Sequence, residues 1–144
     1  MKQEDKELLL KDLCARLPYG VKGAIFNKDL GFEGKYSFVI DGITQEGDDI
    51  DVWLEHGNFS LETVKPYLFL LSSMTDEQQE EFDRIYADDM QVVANNLKNR
   101  LDGKPCETNL GHYRHIDWLN ANHFDYRGLI SKGLAIDATG LNIY

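Results

Sequence analysis

The sequence predicts an α+β domain built around a small antiparallel sheet of three to five strands. Short runs of alternating apolar residues fill residues 21–54, and the connections between them are too short for helical crossovers. A long amphipathic segment follows, with a capping box at Thr75 and Gln78. We therefore expect a single α+β domain over residues 1–144, whose sheet is packed by an N-terminal helix, one long amphipathic helix and a C-terminal helix pair.

The first predicted element is a helix over residues 3–17. Its apolar side chains recur at spacings of three and four residues, and Pro18 and Gly20 end the pattern. Cys14 belongs to this pattern, which favours a small core residue over a nucleophile. Because Cys106 is the only other cysteine, the chain has neither a disulfide framework nor four cysteines for a metal.

Strands are predicted next. The first covers residues 21–26, and the second covers residues 36–40 and ends in a hairpin turn at Asp41-Gly42. A third strand, residues 50–54, places alternate apolar side chains on one face. The segment that begins at Val64 contains Pro66, which predicts an edge strand or an extended connector.

The long helix is predicted to begin after Thr75 and to end near Gly103. Along it, apolar residues step by four, four, three, four and four positions. We call this set the apolar stripe: Phe82, Tyr86, Met90, Val93, Leu97 and Leu101. We expect the stripe from Phe82 to Leu97 to be mostly buried against the sheet, with acidic side chains on the opposite face.

Two helices are predicted near the C-terminus. Thr108 or Asn109 caps the first, which runs through Asn120. Asp125 caps a short second helix over residues 126–132, and Leu134-Ala135-Ile136 is then extended.

The net charge of −10 is concentrated in two segments. Residues 42–61 carry five acids and no Lys or Arg, and residues 74–91 carry seven acids and one base. We therefore expect no direct binding to nucleic acid and no binding to a membrane, because both depend on clustered Lys and Arg. No apolar run is long enough to span a bilayer and no signal peptide is recognisable, so we expect a cytoplasmic protein.

One cluster of side chains could carry chemistry: His112, His115, Asp117, His123 and Asp125. A zinc site needs a third ligand and supporting contacts, and neither an HExxH spacing nor a cysteine pair is present. Histidines that cap or face solvent are the simpler interpretation. We therefore assign no catalytic, cofactor-binding or metal-binding residue and no cofactor. The alternative is a hydrolase-like enzyme that uses His112, His115 and Asp117, with or without a metal.

The acidic segment Gly47-Asp48-Asp49-Ile50-Asp51 resembles half of a calcium-binding loop. Its spacing departs from the EF-hand pattern, and no Glu stands at the twelfth position. A solvated hairpin is the favoured interpretation.

Two stretches resemble known signatures. Residues 64–75 are similar to VKPYLRPLSSMT, and residues 117–135 are similar to DWLNxxHFDYRGLIxKGLA. The chain thus resembles a family of small uncharacterised bacterial proteins found in phage and mobile-element gene sets. The resemblance implies no known activity or catalytic residue. This chain has Phe69 where that family usually has Arg, so a role of that Arg would not transfer.

The second signature supports either a rigid structural corner or a binding surface made by Trp118, Tyr126 and Arg127, since Trp, Tyr and Arg dominate binding hot spots. We expect a non-enzymatic accessory or protein-binding domain whose partner and oligomeric state the sequence does not identify. A third hypothesis is mimicry of nucleic acid by carboxylates, for which solvation alone is the alternative. The carboxylates concerned are Glu77, Glu80, Glu81 and Asp88 on the long helix, and Asp48, Asp49 and Asp51 in the loop.

Overall fold

The computed structural model describes residues 1–55, 57–105 and 113–144. These residues form two compact units. Unit 1 comprises Met1–Ser73 and His123–Tyr144, and unit 2 comprises Met74–Asn122. The fold class is α+β, as predicted. The prediction of a single domain stays a prediction. Within the described ranges, no helix combines the length and the apolar character needed to cross a bilayer.

The described residues of unit 1 form one α-helix and a seven-stranded, mostly antiparallel sheet. Its elements are α1 (Gln3–Arg16), β1 (Lys22–Asn27), β2 (Phe32–Glu33), β3 (Phe38–Glu46), β4 (Asp49–Leu54), β5 (Gly57–Ser60), β6 (Val64–Leu68) and β7 (Ile136–Asp137). The strand order is β5-β4-β3-β1-β6-β7, and β2 pairs with β1. The sheet is larger than the predicted three to five strands, because β2, β5 and β7 are short and lack a clear alternating pattern. β7 is parallel to β6.

One face of the sheet packs with α1 to form the core of unit 1. Ile50, Val52 and Leu54 are buried on β4, as their alternation predicts. Leu9 and Leu13 of α1 belong to the same cluster. Each fully buried side chain of this kind contributes roughly 1.5–3 kcal/mol.

Cys14 was expected in the core, but it is exposed. The buried residues of α1 are Leu9, Asp12, Leu13 and Arg16. At 100° per residue, Cys14 projects from the other side of the helix.

Two predictions in unit 1 are wrong, the hairpin turn at Asp41-Gly42 and the edge strand or extended connector at Pro66. Asp41-Gly42 lies within β3, where the register with β4 shifts between Ile40 and Gly42, so this pair forms a bulge and not a hairpin turn. The turn comes at Gly47, whose φ of 62° favours glycine. β6 is an interior strand between β1 and β7. It accommodates Pro66 because β7 pairs only with Tyr67 and Leu68.

Unit 2 contains α2 (Asp76–Leu101) and α3 (Arg114–Ala121). The predicted capping box is confirmed at the start of α2. The Gln78 N–H donates to Thr75 Oγ1 at 3.2 Å, and the Thr75 N–H donates to Gln78 Oε1 at 3.0 Å. The predicted caps of α3, Thr108 and Asn109, lie outside the described residues.

The burial predicted for the apolar stripe is wrong. Tyr86, Val93 and Leu97 are 45%, 37% and 59% exposed, and Leu101 is 81% exposed. The residues on the less exposed side of α2 are spaced alternately by three and four positions. They are Phe82, Ile85, Asp89, Val92, Asn96 and Asn99. This line includes two buried polar residues, Asp89 and Asn96. Because a search for apolar periodicity passes over Asp89 and Asn96, it selects the side of the helix next to the one that is least exposed.

The predicted second C-terminal helix is absent, since residues 126–132 form turns. Gly128 adopts a φ of 74°, which is incompatible with a continuous right-handed helix. A methyl group at Gly128 would approach only Ser131, at 3.5 Å, so the conformation and not a close contact requires glycine here. The predicted helix pair is therefore one helix, α3, followed by a turn.

Candidate functional site

The predicted His/Asp cluster is divided between the two units. Unit 2 contains His115, Asp117 and Trp118, and unit 1 contains His123, Asp125, Tyr126 and Arg127. His112 lies outside the described residues. Within the part of the chain that the structure describes, no three His, Cys, Asp or Glu side chains are grouped to hold a metal ion.

In unit 2, the partner of His115 is Asp89 of α2. His115 Nδ1 lies 2.6 Å from Asp89 Oδ2, and the backbone N–H of His115 donates to the same oxygen at 2.9 Å. Arg114 Nε donates to Asp89 Oδ1 at 3.2 Å. The carboxylate therefore receives two side chains and one backbone amide from the first turn of α3.

These contacts set the charge of Asp89. Burial raises its pKa, but the hydrogen bonds from the His115 amide, the His115 ring and the Arg114 side chain outweigh burial, so the net pKa is lowered. Tyr113 is the N-cap residue of α3 and makes no side-chain capping bond. Asp89 thus supplies the negative charge that the N-terminus of a helix favours.

This pair can also orient an imidazole for proton transfer. When Asp89 accepts from Nδ1–H, the lone pair of the neutral ring lies on Nε2. Three aromatic rings surround His115, with centroids 5.1–6.3 Å away: Tyr86, Tyr113 and Phe82. Proton transfer at this site would therefore take place at Nε2. The sequence signal for Asp89 was hidden among the other acids of α2.

In unit 1, the second signature forms a buried corner around Arg16. Arg16 Nε donates to Asp12 Oδ2 at 2.7 Å, and both side chains are fully buried. Arg16 Nη2 donates to the Phe124 carbonyl oxygen at 2.7 Å. Arg127 Nε lies 3.4 Å from Asp12 Oδ1, and both guanidinium groups lie over the Tyr126 ring.

Asp125 organises the turn that follows. Its carboxylate accepts the N–H groups of Leu129 at 2.9 Å and Ile130 at 2.8 Å. The Asp125 side chain therefore holds a turn and does not cap a helix. The proposal that Trp118, Tyr126 and Arg127 form a partner-binding surface stays a prediction, and the contacts of Arg127 with Asp12 and Tyr126 also give it a structural role.

The two signature stretches meet in unit 1. The Phe69 N–H donates to the His123 carbonyl at 2.9 Å, and the Asp125 N–H donates to the Phe69 carbonyl at 2.8 Å. The Phe69 and Phe124 rings lie 6.1 Å apart. Phe69, which departs from the signature, thus joins the two stretches through its backbone and packs on Phe124 through its ring.

His123 packs against the last residue of the chain. Its ring stacks on Tyr144 with a centroid distance of 3.9 Å, and Nδ1 has no hydrogen-bond partner within the described residues. Burial, together with the positive charges of Arg16 and Lys22, lowers the pKa of His123 to about 4. Burial raises the pKa of Tyr144 to about 12. Both side chains are therefore neutral near pH 7.

A concave site of unit 1 lies on the other face of the sheet, across β3, β4 and β5. Its volume is about 330 Å³. We call it the acidic hollow, and its lining residues are Thr44, Glu46, Asp49, Asp51, Trp53 and Asn58. The strand register explains the grouping, because Asp51 is opposite both Thr44 and Ser60, and Trp53 is opposite Asn58.

Hydrogen bonds hold the neutral side chains of the acidic hollow in place. Trp53 Nε1 donates to Thr44 Oγ1 at 3.0 Å, and Asn58 Nδ2 donates to Asp51 Oδ2 at 3.1 Å. The lining contains three carboxylates and no basic residue. Trp53 is 43% exposed. The site therefore combines an aromatic ring with unneutralised negative charge, which suits a cationic group.

Trp53, Glu46 and Asn58 were not predicted as site residues. Asp48, Asp49 and Asp51 were noticed as an acidic loop, and the structure places Asp49 and Asp51 in the lining while Asp48 lies in the turn. Strand parity is the signal that could have found the site, because residues 49, 51 and 53 alternate with the buried residues of β4.

Comparison with known proteins gives no match to a family model, to a curated protein or to a solved structure.

Proposed function

We propose that this protein is a non-enzymatic protein-binding domain that holds a basic segment of a partner protein in the acidic hollow. The observation that carries the proposal is the 330 Å³ concave surface, in which three carboxylates surround Trp53 without a basic residue in the lining. Binding sites for small groups start near 300 Å³. A hollow of this size accommodates one long cationic side chain and leaves the rest of the partner segment outside.

The chemistry of the hollow favours Arg over Lys. A guanidinium group can stack flat on the Trp53 indole while its N–H groups reach Asp49 or Asp51, whereas an ammonium group is a compact and strongly hydrated point charge. Because carboxylates repel phosphate groups, the hollow is unsuited to nucleic acid itself. It suits a protein whose own surface is basic.

The resemblance to phage and mobile-element proteins is consistent with this role. In this proposal the protein is a cytoplasmic accessory protein that occupies a basic surface of a host protein. In that case the carboxylates of the hollow stand where the host protein otherwise receives phosphates.

The test is a titration of the protein with hexa-arginine and hexa-lysine peptides, monitored by tryptophan fluorescence. The Trp118→Phe background leaves Trp53 as the single tryptophan, so that the signal reports binding at the hollow. We expect saturable binding that weakens with salt, tighter for arginine. Asp49→Asn/Asp51→Asn should weaken binding about tenfold, since exposed charge pairs contribute up to about 1 kcal/mol each.

The matched control is Glu77→Gln/Glu80→Gln, which removes the same charge from α2. It should retain most of the affinity. If both double variants lose affinity equally, only the net charge of the protein matters and the hollow is not a binding site. If no peptide binds, the proposal fails.

A second candidate function is favoured by the 2.6 Å contact between Asp89 and His115. It is a hydrolase-like reaction in which His115 acts as a general base through Nε2. Turnover of a panel of activated esters and phosphodiesters that is lost in His115→Gln but retained in Arg114→Gln would support it. Metal analysis of the purified protein separates a metal-dependent form of this reaction.

A further inference from the structure

Part of the apolar stripe on α2 is exposed. Tyr86, Val93, Leu97 and Leu101 are all more than a third exposed, although they lie along one side of a regular helix. Exposed apolar residues are ordinary when scattered, but a continuous row indicates a binding site. We propose that this row pairs with the same row of a second copy of the chain, with the two α2 helices antiparallel.

The spacing of the stripe is suited to antiparallel pairing. Two copies that cross between Gln91 and Val92 place Tyr86 of one beside Leu97 of the other, and Met90 beside Val93. Each stripe residue from Tyr86 to Leu97 then faces a stripe residue of the other copy. A two-fold interface requires this kind of self-complementary surface.

The path of the stripe along the helix is also suitable. From Tyr86 to Leu97, and from Met90 to Leu101, the stripe advances by eleven residues in three turns, or about 3.67 residues per turn. This value is close to the 3.6 of an α-helix, so the row stays nearly parallel to the helix axis. Two such rows can remain in contact over several turns.

Charge selects the antiparallel orientation and a second copy as the partner. Residues 74–91 contain seven acids and one base, whereas residues 92–105 contain three bases and one acid. A parallel dimer would place the two acidic halves side by side. An antiparallel dimer places each acidic half against the basic half of its partner, so that attraction replaces repulsion.

The expected dimer is weak. A stable interface buries roughly 800 Å² on each partner, which a few partly exposed side chains of one helix do not reach. We therefore expect monomers at low protein concentration and dimers at high concentration. The two proposals use different residues, since the row belongs to α2 of unit 2 and the acidic hollow is formed by β3, β4 and β5 of unit 1.

Sedimentation velocity over a wide concentration range tests the association. The wild-type protein should shift from monomer to dimer as concentration rises. Leu97→Lys/Leu101→Lys should stay monomeric at concentrations at least tenfold above the wild-type midpoint. The matched control is Leu30→Lys/Leu141→Lys, two residues of unit 1 that are 63% and 51% exposed. This control should dimerise like wild type.

The orientation is tested by spin labels at Asp102→Cys, with both native cysteines replaced by serine. Antiparallel pairing places the two labels about 30 Å apart along the helix axes, from 1.5 Å per residue. Parallel pairing places them roughly 10–20 Å apart, close to the spacing of packed helices. A wild-type protein that stays monomeric up to millimolar concentration, equal dimerisation of the Leu97/Leu101 variant, or the short distance would overturn the proposal.

Discussion

Arg16 and Asp12 form an ion pair in unit 1, with Nε and Oδ2 2.7 Å apart and no solvent access to either side chain. One helical turn separates the two residues on α1, and Arg16 also ties this helix to the Phe124 carbonyl oxygen. The stretch His123–Arg127 is thus fixed to α1 by a buried charge.

Removing one member of this pair should be more damaging than removing both. Arg16→Met leaves the Asp12 carboxylate buried with only Arg127 nearby, and we expect a loss of about 3–5 kcal/mol in the free energy of unfolding. Asp12→Leu/Arg16→Met should lose less, because the fully buried carboxylate is removed and only Arg127, whose side chain is 16% exposed, has lost its partner. Urea unfolding measures both values. Equal losses would show that packing and not charge dominates at this site.

His123 should make unit 1 sensitive to acid. Its folded pKa of about 4 is below the ordinary 6.5, so the unfolded chain takes up the proton first as pH falls. This contribution to stability is complete above about pH 6.5 and is lost progressively toward pH 4. Asn tolerates the φ of 59° at this position, so His123→Asn removes the titration without backbone strain.

Between pH 7 and pH 4, the wild-type protein should lose about 2 kcal/mol more stability than His123→Asn, allowing for solvent screening. Chemical denaturation at several pH values measures the difference. Parallel pH profiles for the two proteins would contradict the burial of a neutral imidazole.

Asp89 should hold the first turn of α3. Asp89→Asn weakens the hydrogen bonds to the His115 amide and ring, and we expect a cost of about 1–3 kcal/mol. The neighbouring substitution Asp88→Asn is the control, because Asp88 is 65% exposed and lies 3.5 Å from Arg114. Hydrogen exchange of the α3 amides should quicken in the first variant only. Unchanged exchange in Asp89→Asn would mean that α3 is held by other contacts.

Two glycines with the same backbone conformation should differ in their tolerance of alanine. Gly31 and Gly34 have φ values of 75° and 74°, but a methyl group at Gly34 meets the Phe26 ring, whereas none lies near Gly31. Gly31→Ala should cost about 1 kcal/mol from backbone strain alone. Gly34→Ala should cost about 1 kcal/mol more, because the Phe26 ring must move. Thermal unfolding of the two variants provides the comparison.

Local signals in the sequence were sufficient for much of the fold. The capping box at Thr75 depends on residues three positions apart, and the buried row of β4 depends on strict alternation, so both could be read from neighbouring residues. The same applies to the end of α1 at Arg16, two residues before Pro18. Each of these features is determined within one turn or one strand.

Features that depend on distant partners could not be predicted in this way. Asp89 is buried because His115 and Arg114 satisfy its carboxylate, and that pairing spans α2 and α3. A search for apolar periodicity excludes such a residue and therefore shifts the predicted buried face of α2. The acidic hollow likewise depends on the pairing of β3, β4 and β5, which brings Glu46, Trp53 and Asn58 to one face.

The hydrogen bonds between Phe69 and the stretch His123–Asp125 make residues 74–122 an insertion in the sequence of unit 1. Unit 1 is built from both ends of the chain, and the path leaves it after Ser73 and returns at His123. The hydrogen bonds that join Phe69 to His123 and Asp125 all lie within unit 1. A change in the length of residues 74–122 over evolutionary time therefore leaves these bonds, and the register of the sheet, in place.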